Sequence, residues 1–162
     1  MKIFKKHDDI LKVNSEIIVF PRGLYQVPNN TILKKIKLPK VLFIQFNDAL
    51  AKHKIDIGSC FAYGRFDGIK AIGLLITCFN VNDEIDNNNG RKIDYEMLYS
   101  SLEDLRHDIM LERITKIAFC MDDLITLGCD EEIFKAMVKQ VFGRIYNPIS
   151  ITFVYGKQQP EN

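Results

Sequence analysis

The sequence has little of what would mark a membrane, secreted or nucleic-acid-binding protein. No apolar run reaches the roughly 20 residues that a membrane-spanning helix needs, and the amino terminus lacks the apolar core of a signal peptide. The 22 Lys and Arg residues nearly balance the 21 Asp and Glu residues, which gives a formal net charge of +1. Such a balance supplies no general attraction to nucleic acid or to an anionic membrane. We therefore expect a cytoplasmic protein with no membrane contact, and nucleic acid is a disfavoured partner.

The motifs of metal, redox and nucleophilic catalysis are missing too. Cys60, Cys78, Cys120 and Cys129 show no CxxC spacing, so neither a zinc site nor a redox pair is indicated. The first three lie in apolar segments, where reduced, buried thiols are usual. Ser59 has no Gly-x-Ser-x-Gly context, and the three histidines have no spacing typical of a triad. The sequence predicts no metal and no cofactor.

What is present suits a single globular domain. The chain has 162 residues, of which 47% are hydrophobic, and a domain of this length buries roughly 70% of its unfolded surface. No internal repeat or linker interrupts it. The polar stretch Asn80–Lys92 predicts a flexible loop, and residues 157–162 a short tail. We expect one domain over residues 1–162.

Apolar periodicity in the second half of the chain predicts alternating helices and strands. Between Tyr95 and Ile109, apolar residues recur at steps of three and four, and Asp94 precedes them as a capping carboxylate. A second helix is predicted to open at Asp130. Its buried side chains are expected to be Ile133, Phe134, Met137, Val138, Val141 and Phe142. The remaining segments predict a strand at Ile114–Met121, a polar loop at Asp122–Gly128 and a strand at Ile149–Tyr155.

The first half predicts further strands and one helix, Pro39–Lys52. Two strands flank Phe66–Gly68, whose Asp-Gly step is typical of a hairpin turn. Pro21 is expected to end the strand before it, and Lys34–Leu38 is ambiguous. The strands of this half are predicted at Met1–Lys5, Glu16–Phe20, Ile55–Arg65 and Ile69–Cys78.

These elements predict an α/β, three-layer α/β/α fold with a mixed, partly parallel sheet. Strands joined through helices imply right-handed crossovers and parallel pairing, and the hairpin adds an antiparallel pair. Sheets of this kind bind ligands in loops beyond the carboxyl ends of their strands. The loop after Met121 is therefore the first place to look for function.

The order and spacing of four segments resemble a macro domain, the module that holds ADP-ribose in a cleft at the top of a mixed sheet. The similarity is greatest to the subgroup that removes terminal ADP-ribose from proteins. The segments are Asp8–Ile10 with Ser15–Phe20, the hairpin segments Ile57–Phe61 and Gly73–Thr77, the helix start Asp94–Leu98 with Ser101 and Leu102, and the strands Ile114–Met121 and Ile151–Tyr155.

The resemblance implies roles at the adenine end of the ligand. Asp9 matches the family's adenine-binding acid, and Ile10 its backbone partner. A turn-capping side chain is the alternative for Asp9, and one residue can do both. Tyr155 lies near the place where family members close the adenine slot, with a buried core tyrosine as the alternative.

The phosphate loops depart from the family pattern. In place of Asn-Ala-Ala-Asn and Gly-x-Gly, the chain has Phe20–Gly23, so Gly23 alone allows close backbone approach. The second loop, Met121–Gly128, also has a single glycine. The resemblance places Gly23, Leu127 and Gly128 beside the phosphates.

Charged side chains also depart from the pattern. Asp122 and Asp123 lie where a diphosphate would sit, at a cost on the order of a kcal/mol or more each unless neutralised. Arg22 could neutralise them, or could be a solvated surface arginine. The family's catalytic lysine has no counterpart after the second hairpin strand. Asp123 is the catalytic candidate that remains, with Asp130, which also suits a helix cap, as the alternative.

Three hypotheses follow from the resemblance. The first is binding of ADP-ribose or a related adenine nucleotide with weak or no catalysis, with Asn87–Gly90 as a mobile lid. The second is an ADP-ribosyl hydrolase, whose partner would be an ADP-ribosylated protein. The third is a macro scaffold reused as a protein-interaction or structural module without ligand.

Overall fold

The computed structural model describes residues 1–25, 27, 29–64, 70–78 and 93–157. The predicted hairpin turn, the polar loop and its lid segment lie outside the described residues. In chain order, the described elements are β1 (Lys2–His7), β2 (Ile17–Gly23), α1 (Ile32–Lys35), α2 (Lys40–Ala51), β3 (Cys60–Tyr63), β4 (Ala71–Cys78), α3 (Tyr95–Leu111), β5 (Lys116–Cys120), α4 (Met121–Thr126), α5 (Glu131–Phe142) and β6 (Ser150–Tyr155).

The strands form one mixed sheet in the order β1-β6-β5-β2-β4-β3. Of the neighbouring pairs, β3 with β4 is antiparallel and the others are parallel. The parallel pairing brings the carboxyl ends of β1, β6, β5, β2 and β4 to one edge of the sheet. This edge, where the next loops begin, is the predicted place for a ligand.

Each face of the sheet has its own apolar core, which confirms the predicted three layers. On one face α3 and α5 pack through side chains such as Leu102, Leu105, Phe134 and Phe142. On the other face α1 and α2 pack through Leu33, Leu42 and Phe46. Burying each such side chain contributes about 1.5–3 kcal/mol. Within the described residues, no helix is both long and apolar enough to cross a membrane.

Both predicted helix caps of the second half are present. Asp94 accepts the N–H groups of Glu96 and Met97, and Asp130 accepts those of Glu132 and Ile133. The prediction that Ile133 is buried was wrong, because the buried stripe of α5 runs through Phe134, Val138 and Val141 and leaves Ile133 43% exposed.

Two boundary predictions near the carboxyl edge were also wrong. Pro21 does not end β2, which continues to Gly23. The register of β2 with β5 stops at Val19, so among the described residues Pro21 has only β4 beside it, and a missing N–H is tolerated there. The predicted polar loop Asp122–Gly128 begins as α4, a helix too short to show periodicity in the sequence. The ambiguous Lys34–Leu38 contains the end of α1.

Candidate functional site

A small cavity, the edge pocket, lies at the carboxyl edge above the ends of β5 and β6. Its volume is about 260 Å³, just below the ~300–1,000 Å³ of typical small-molecule sites. That volume suits one ring system and is too small for a whole dinucleotide. The pocket is lined by Asp8, Asp9, Ile10, Ile32, Cys120, Val154, Gly156 and Lys157.

The turn after β1 brings the predicted pair Asp9 and Ile10 to the edge pocket. The N–H of Asp8 donates to the carbonyl of Tyr155 at 2.9 Å, which fixes this turn to the end of β6. Asp9 Oδ1 accepts the N–H of Leu11 at 3.0 Å, while the side chain of Asp9 stays exposed. Asp9 therefore caps a turn through one carboxylate oxygen. This use is compatible with the contact to adenine that the resemblance implies.

Sequence reasoning missed several walls of the edge pocket. Cys120 ends β5, and Val154 is the last but one residue of β6; both belong to the same core as Ile10. Ile32 begins α1, and Gly156 follows β6. Strand alternation is the signal that could have found Cys120 and Val154, because residues of like parity at the ends of adjacent parallel strands converge on one face.

Tyr155 lies on the other face from Val154 and does not line the edge pocket. Its ring packs 5.3 Å from that of His7, measured between centroids. Burial raises the pKa of Tyr155, and the nearby Glu131 carboxylate raises it further. Tyr155 is a buried core residue, Val154 is a wall of the edge pocket, and a contact of Tyr155 with adenine stays a prediction.

Asp123, the predicted catalytic residue, joins two elements at this edge. It is 1% exposed, its Oδ1 accepts the N–H of Ile32 at 2.7 Å, and its Oδ2 accepts the N–H of Leu33 at 3.2 Å. Burial raises the pKa of Asp123, and the two amide hydrogen bonds oppose that shift. The carboxylate satisfies amides of the first turn of α1 that have no partner within the helix. This geometry gives Asp123 a structural role.

The neighbouring carboxylate makes a second link of the same kind. Asp122 Oδ2 accepts the N–H of Gly156 at 2.8 Å. A Cβ atom at residue 156 would lie 2.5 Å from this oxygen, so the contact requires glycine. Asp122 and Asp123 thus bind backbone amides in the region where the resemblance predicts phosphate.

The three residues predicted to lie beside the phosphates occupy structural positions. Gly23 ends β2 in register with Cys78, and Leu127 is buried in the core. Gly128 has a φ of +79°, and its N–H donates to the carbonyl of Ile125 at 2.9 Å, which closes the end of α4. None of the three lines the edge pocket as described. Their contact with phosphate stays a prediction.

Arg22 is buried, 6% exposed, which excludes the solvated alternative. Its guanidinium carbon lies 4.1 Å from the ring centroid of Phe46, and no described residue forms a hydrogen bond with its Nε or Nη1 atom. Burial lowers the pKa of Arg22, but a guanidinium stays protonated in proteins. A cation–π contact supplies ~0.5–2 kcal/mol, against several kcal/mol for taking an ion out of water. Phe46 alone does not compensate this charge.

The cysteines and other acidic groups show no metal chemistry in the part of the chain that the structure describes. None of the four cysteines, all of which lie among the described residues, forms a disulfide. Burial raises the pKa of Cys60 and of Cys120, so both are uncharged thiols. No group of three or more His, Cys, Asp or Glu among the described residues is arranged to hold a metal ion.

Two larger depressions lie at the opposite edge of the sheet. Their volumes are about 590 and 600 Å³, and they include Arg113 with Tyr146 and Glu16 with Asp108 respectively. They border the amino ends of the parallel strands, whereas sheets of this type bind ligands at the carboxyl ends. The edge pocket is therefore the better candidate despite its size.

Comparison with solved structures identifies the fold. No protein-family model and no curated protein sequence matches this chain. The macrodomain of Mycobacterium tuberculosis DarG is 19% identical, with a TM-score of 0.74 over 93% of this chain and 96% of that one. Thermosipho africanus DarTG in complex with ADP-ribose is 13% identical, with a TM-score of 0.72 over 94% of this chain and 41% of that one. The macro domain of ganglioside induced differentiation associated protein 2 is 14% identical, with a TM-score of 0.68 over 97% of this chain and 77% of that one. The chain has the macrodomain fold.

Proposed function

We propose that this chain binds ADP-ribose or a related adenine nucleotide mainly through the base, with weak or no catalysis. The observation that carries the proposal is the edge pocket, where Asp9 and Ile10 converge with Cys120 and Val154. The fold adds support, because DarTG, part of which shares this fold, was solved in complex with ADP-ribose.

The lining of the edge pocket matches the chemistry of an adenine ring. The exocyclic amine of adenine is a donor, and the carboxylate of Asp9 is a charged acceptor, which makes a hydrogen bond roughly twice as strong as a neutral one. Ile10, Ile32 and Val154 supply apolar walls for the faces of the ring. Their burial by the base contributes about 25 cal/mol per Å² of apolar surface.

The phosphates of the ligand meet a less favourable surface. Asp122 and Asp123 hold the amides of Gly156, Ile32 and Leu33. At an effective dielectric constant of about 20, two like charges ~6 Å apart repel by about 3 kcal/mol. We therefore expect affinity to come chiefly from the base.

Hydrolysis of ADP-ribosylated proteins is the second candidate, carried over from the resemblance. The buried carboxylate of Asp123, engaged with two amides, argues against rapid turnover. The hydrogen bonds of Asp122 and Asp123 favour a third candidate, a protein-interaction module without ligand. These carboxylates bind the chain's own backbone amides in the region where the resemblance predicts phosphate.

Isothermal titration calorimetry with ADP-ribose, AMP and adenosine tests the proposal. The variant Asp9→Asn keeps the Oδ1 acceptor for Leu11 and so preserves the turn, but its amide group opposes the adenine amine. We expect the affinity for AMP to fall at least about tenfold, or ~1.4 kcal/mol.

Asp48→Asn is the matched control, because Asp48 is an exposed residue of α2 that pairs with Lys52 at 3.0 Å. Its affinity should equal that of the wild type. Absence of heat with all three ligands at millimolar concentration would contradict binding and leave the interaction module. Release of ADP-ribose from a modified protein, lost in Asp123→Ala under conditions where that variant is folded, would support the hydrolase instead.

A further inference from the structure

We propose that Arg22 binds an oxyanion, namely a phosphate group of the nucleotide whose base occupies the edge pocket. The identity of the molecule that carries the phosphate rests on the proposed function. The anion site itself rests on the burial, position and missing partners of one guanidinium.

Arg22 lies on the same face of the sheet as the edge pocket. Ile18 and Phe20 of β2 belong to the same core as Cys120 and Val154. Side chains alternate along a strand, so Arg22 continues the series of Ile18 and Phe20.

Arg22 is also near the edge pocket along the sheet. Val19 lies in register with Phe119, and extending that parallel register by one residue puts Phe20 level with Cys120. Arg22 is two residues further along β2, about 6.6 Å, and one strand across, about 4.8 Å, which places its Cα roughly 8 Å from that of Cys120. The span from the base of a nucleotide to its phosphates is comparable.

The guanidinium lacks a compensating anion. Among the described residues no carboxylate forms an ion pair with Arg22, and Nε and Nη1 have no hydrogen-bond partner. The ring of Phe46 covers one face of the guanidinium, and within the described residues the N–H donors of Nε and Nη1 are unused. That planar fork matches two oxygens of one phosphate group, which would supply both the missing charge and the missing acceptors.

The same pairing would offset the acidic residues nearby. Asp122 and Asp123 disfavour an anion at the carboxyl edge, whereas a phosphate held by Arg22 would be neutralised by a cation already buried there. Arg22 would then set the preference for phosphorylated over unphosphorylated adenine compounds.

Thermal shift and calorimetry with pyrophosphate, adenosine and ADP test this proposal. The buffer is Tris chloride, which contains no competing oxyanion. Arg22→Met keeps an unbranched side chain over Phe46 and removes the charge. Arg144→Met removes the same charge from an exposed position. Pyrophosphate should raise the melting temperature of the wild type and of Arg144→Met, and leave Arg22→Met unchanged.

The ligand series separates the base from the phosphate. ADP should bind the wild type at least tenfold more tightly than adenosine does, and Arg22→Met less than threefold more tightly. Arg22→Lys keeps a point charge without the planar fork of donors, so it should retain part of the tenfold gain. If Arg22→Met does not fold, Arg22→Lys replaces it in both assays, with a response smaller than that of the wild type.

The outcomes distinguish the two proposals. If adenosine binds but ADP gains nothing over it in the wild type, the Arg22 proposal is overturned and the base site stands. If pyrophosphate stabilises the wild type more than the Arg22 variants while adenosine does not bind, the anion site stands and the proposed function fails. Equal responses of wild type and Arg22 variants to pyrophosphate and to ADP would overturn the anion site.

Discussion

Asp123 Oδ1 lies 2.7 Å from the amide nitrogen of Ile32, so a residue of α4 holds the first residue of α1 in place. Ile32 is also a wall of the edge pocket. The residue that the resemblance favoured for catalysis therefore supports the wall of the candidate binding site.

Asp123→Ala should lower the stability of the protein. The change leaves the N–H groups of Ile32 and Leu33 without their acceptor in a part-buried position. Hydrogen bonds to a charged group contribute ~1.5–3 kcal/mol each, so losing both should cost about 3 kcal/mol or more. Urea unfolding measures the loss, with Asp48→Ala as an exposed control. A change below about 0.5 kcal/mol, the range of neutral surface substitutions, would contradict the role given to Asp123.

Ionisation of Asp123 should make stability depend on pH in an unusual direction. Burial raises its pKa in the folded chain above the ordinary value of 3.8. Between these two values the folded chain binds more protons than the unfolded chain, so this residue's contribution to the free energy of unfolding falls as pH rises.

Asp123→Asn isolates that contribution, because asparagine does not titrate. The difference in free energy of unfolding, wild type minus variant, should fall from about pH 4 upward and become constant above the raised pKa. Urea unfolding at successive pH values measures it. A difference that increases over the same range would show a lowered pKa and contradict the burial argument.

The sequence predicted the parts of the fold that repeat along the chain. Strand and helix order, the caps Asp94 and Asp130, and the mixed sheet follow from apolar periodicity and capping chemistry, which are local. The six-residue helix α4 was missed because periodicity needs a longer segment, and the path of β2 through Pro21 depends on where β5 stops pairing.

The candidate site was predictable only in part. Asp9 and Ile10 line the edge pocket, and they could be chosen from the sequence because their motif is contiguous. The partners of Asp123 are 90 and 91 residues away, and no sequence pattern indicates such a contact. The cytoplasmic location, the single domain over residues 1–162 and the ADP-ribosylated partner stay predictions.

Gly156→Ala should disturb the floor of the edge pocket through Asp122. The new Cβ would lie 2.5 Å from Asp122 Oδ2, so the carboxylate must move and its bond to the residue 156 amide weakens. We expect a loss of about 1–2 kcal/mol, the cost of one displaced charged partner.

A double-mutant cycle identifies the cause of that loss. In the Asp122→Ala background the added methyl group meets no carboxylate, so Gly156→Ala should cost at least about 0.5 kcal/mol less there. Urea unfolding of the four proteins gives the coupling. Equal costs in both backgrounds would assign the loss to another contact.

Titration of the isotope-labelled protein with AMP, followed by amide chemical shifts, tests most directly whether the edge pocket binds adenine. We expect the largest shifts at Asp9, Ile10, Leu11 and Gly156, with little change at Arg113 and Tyr146 on the opposite edge. Shifts centred on that opposite edge, or no shifts at millimolar AMP, would contradict it.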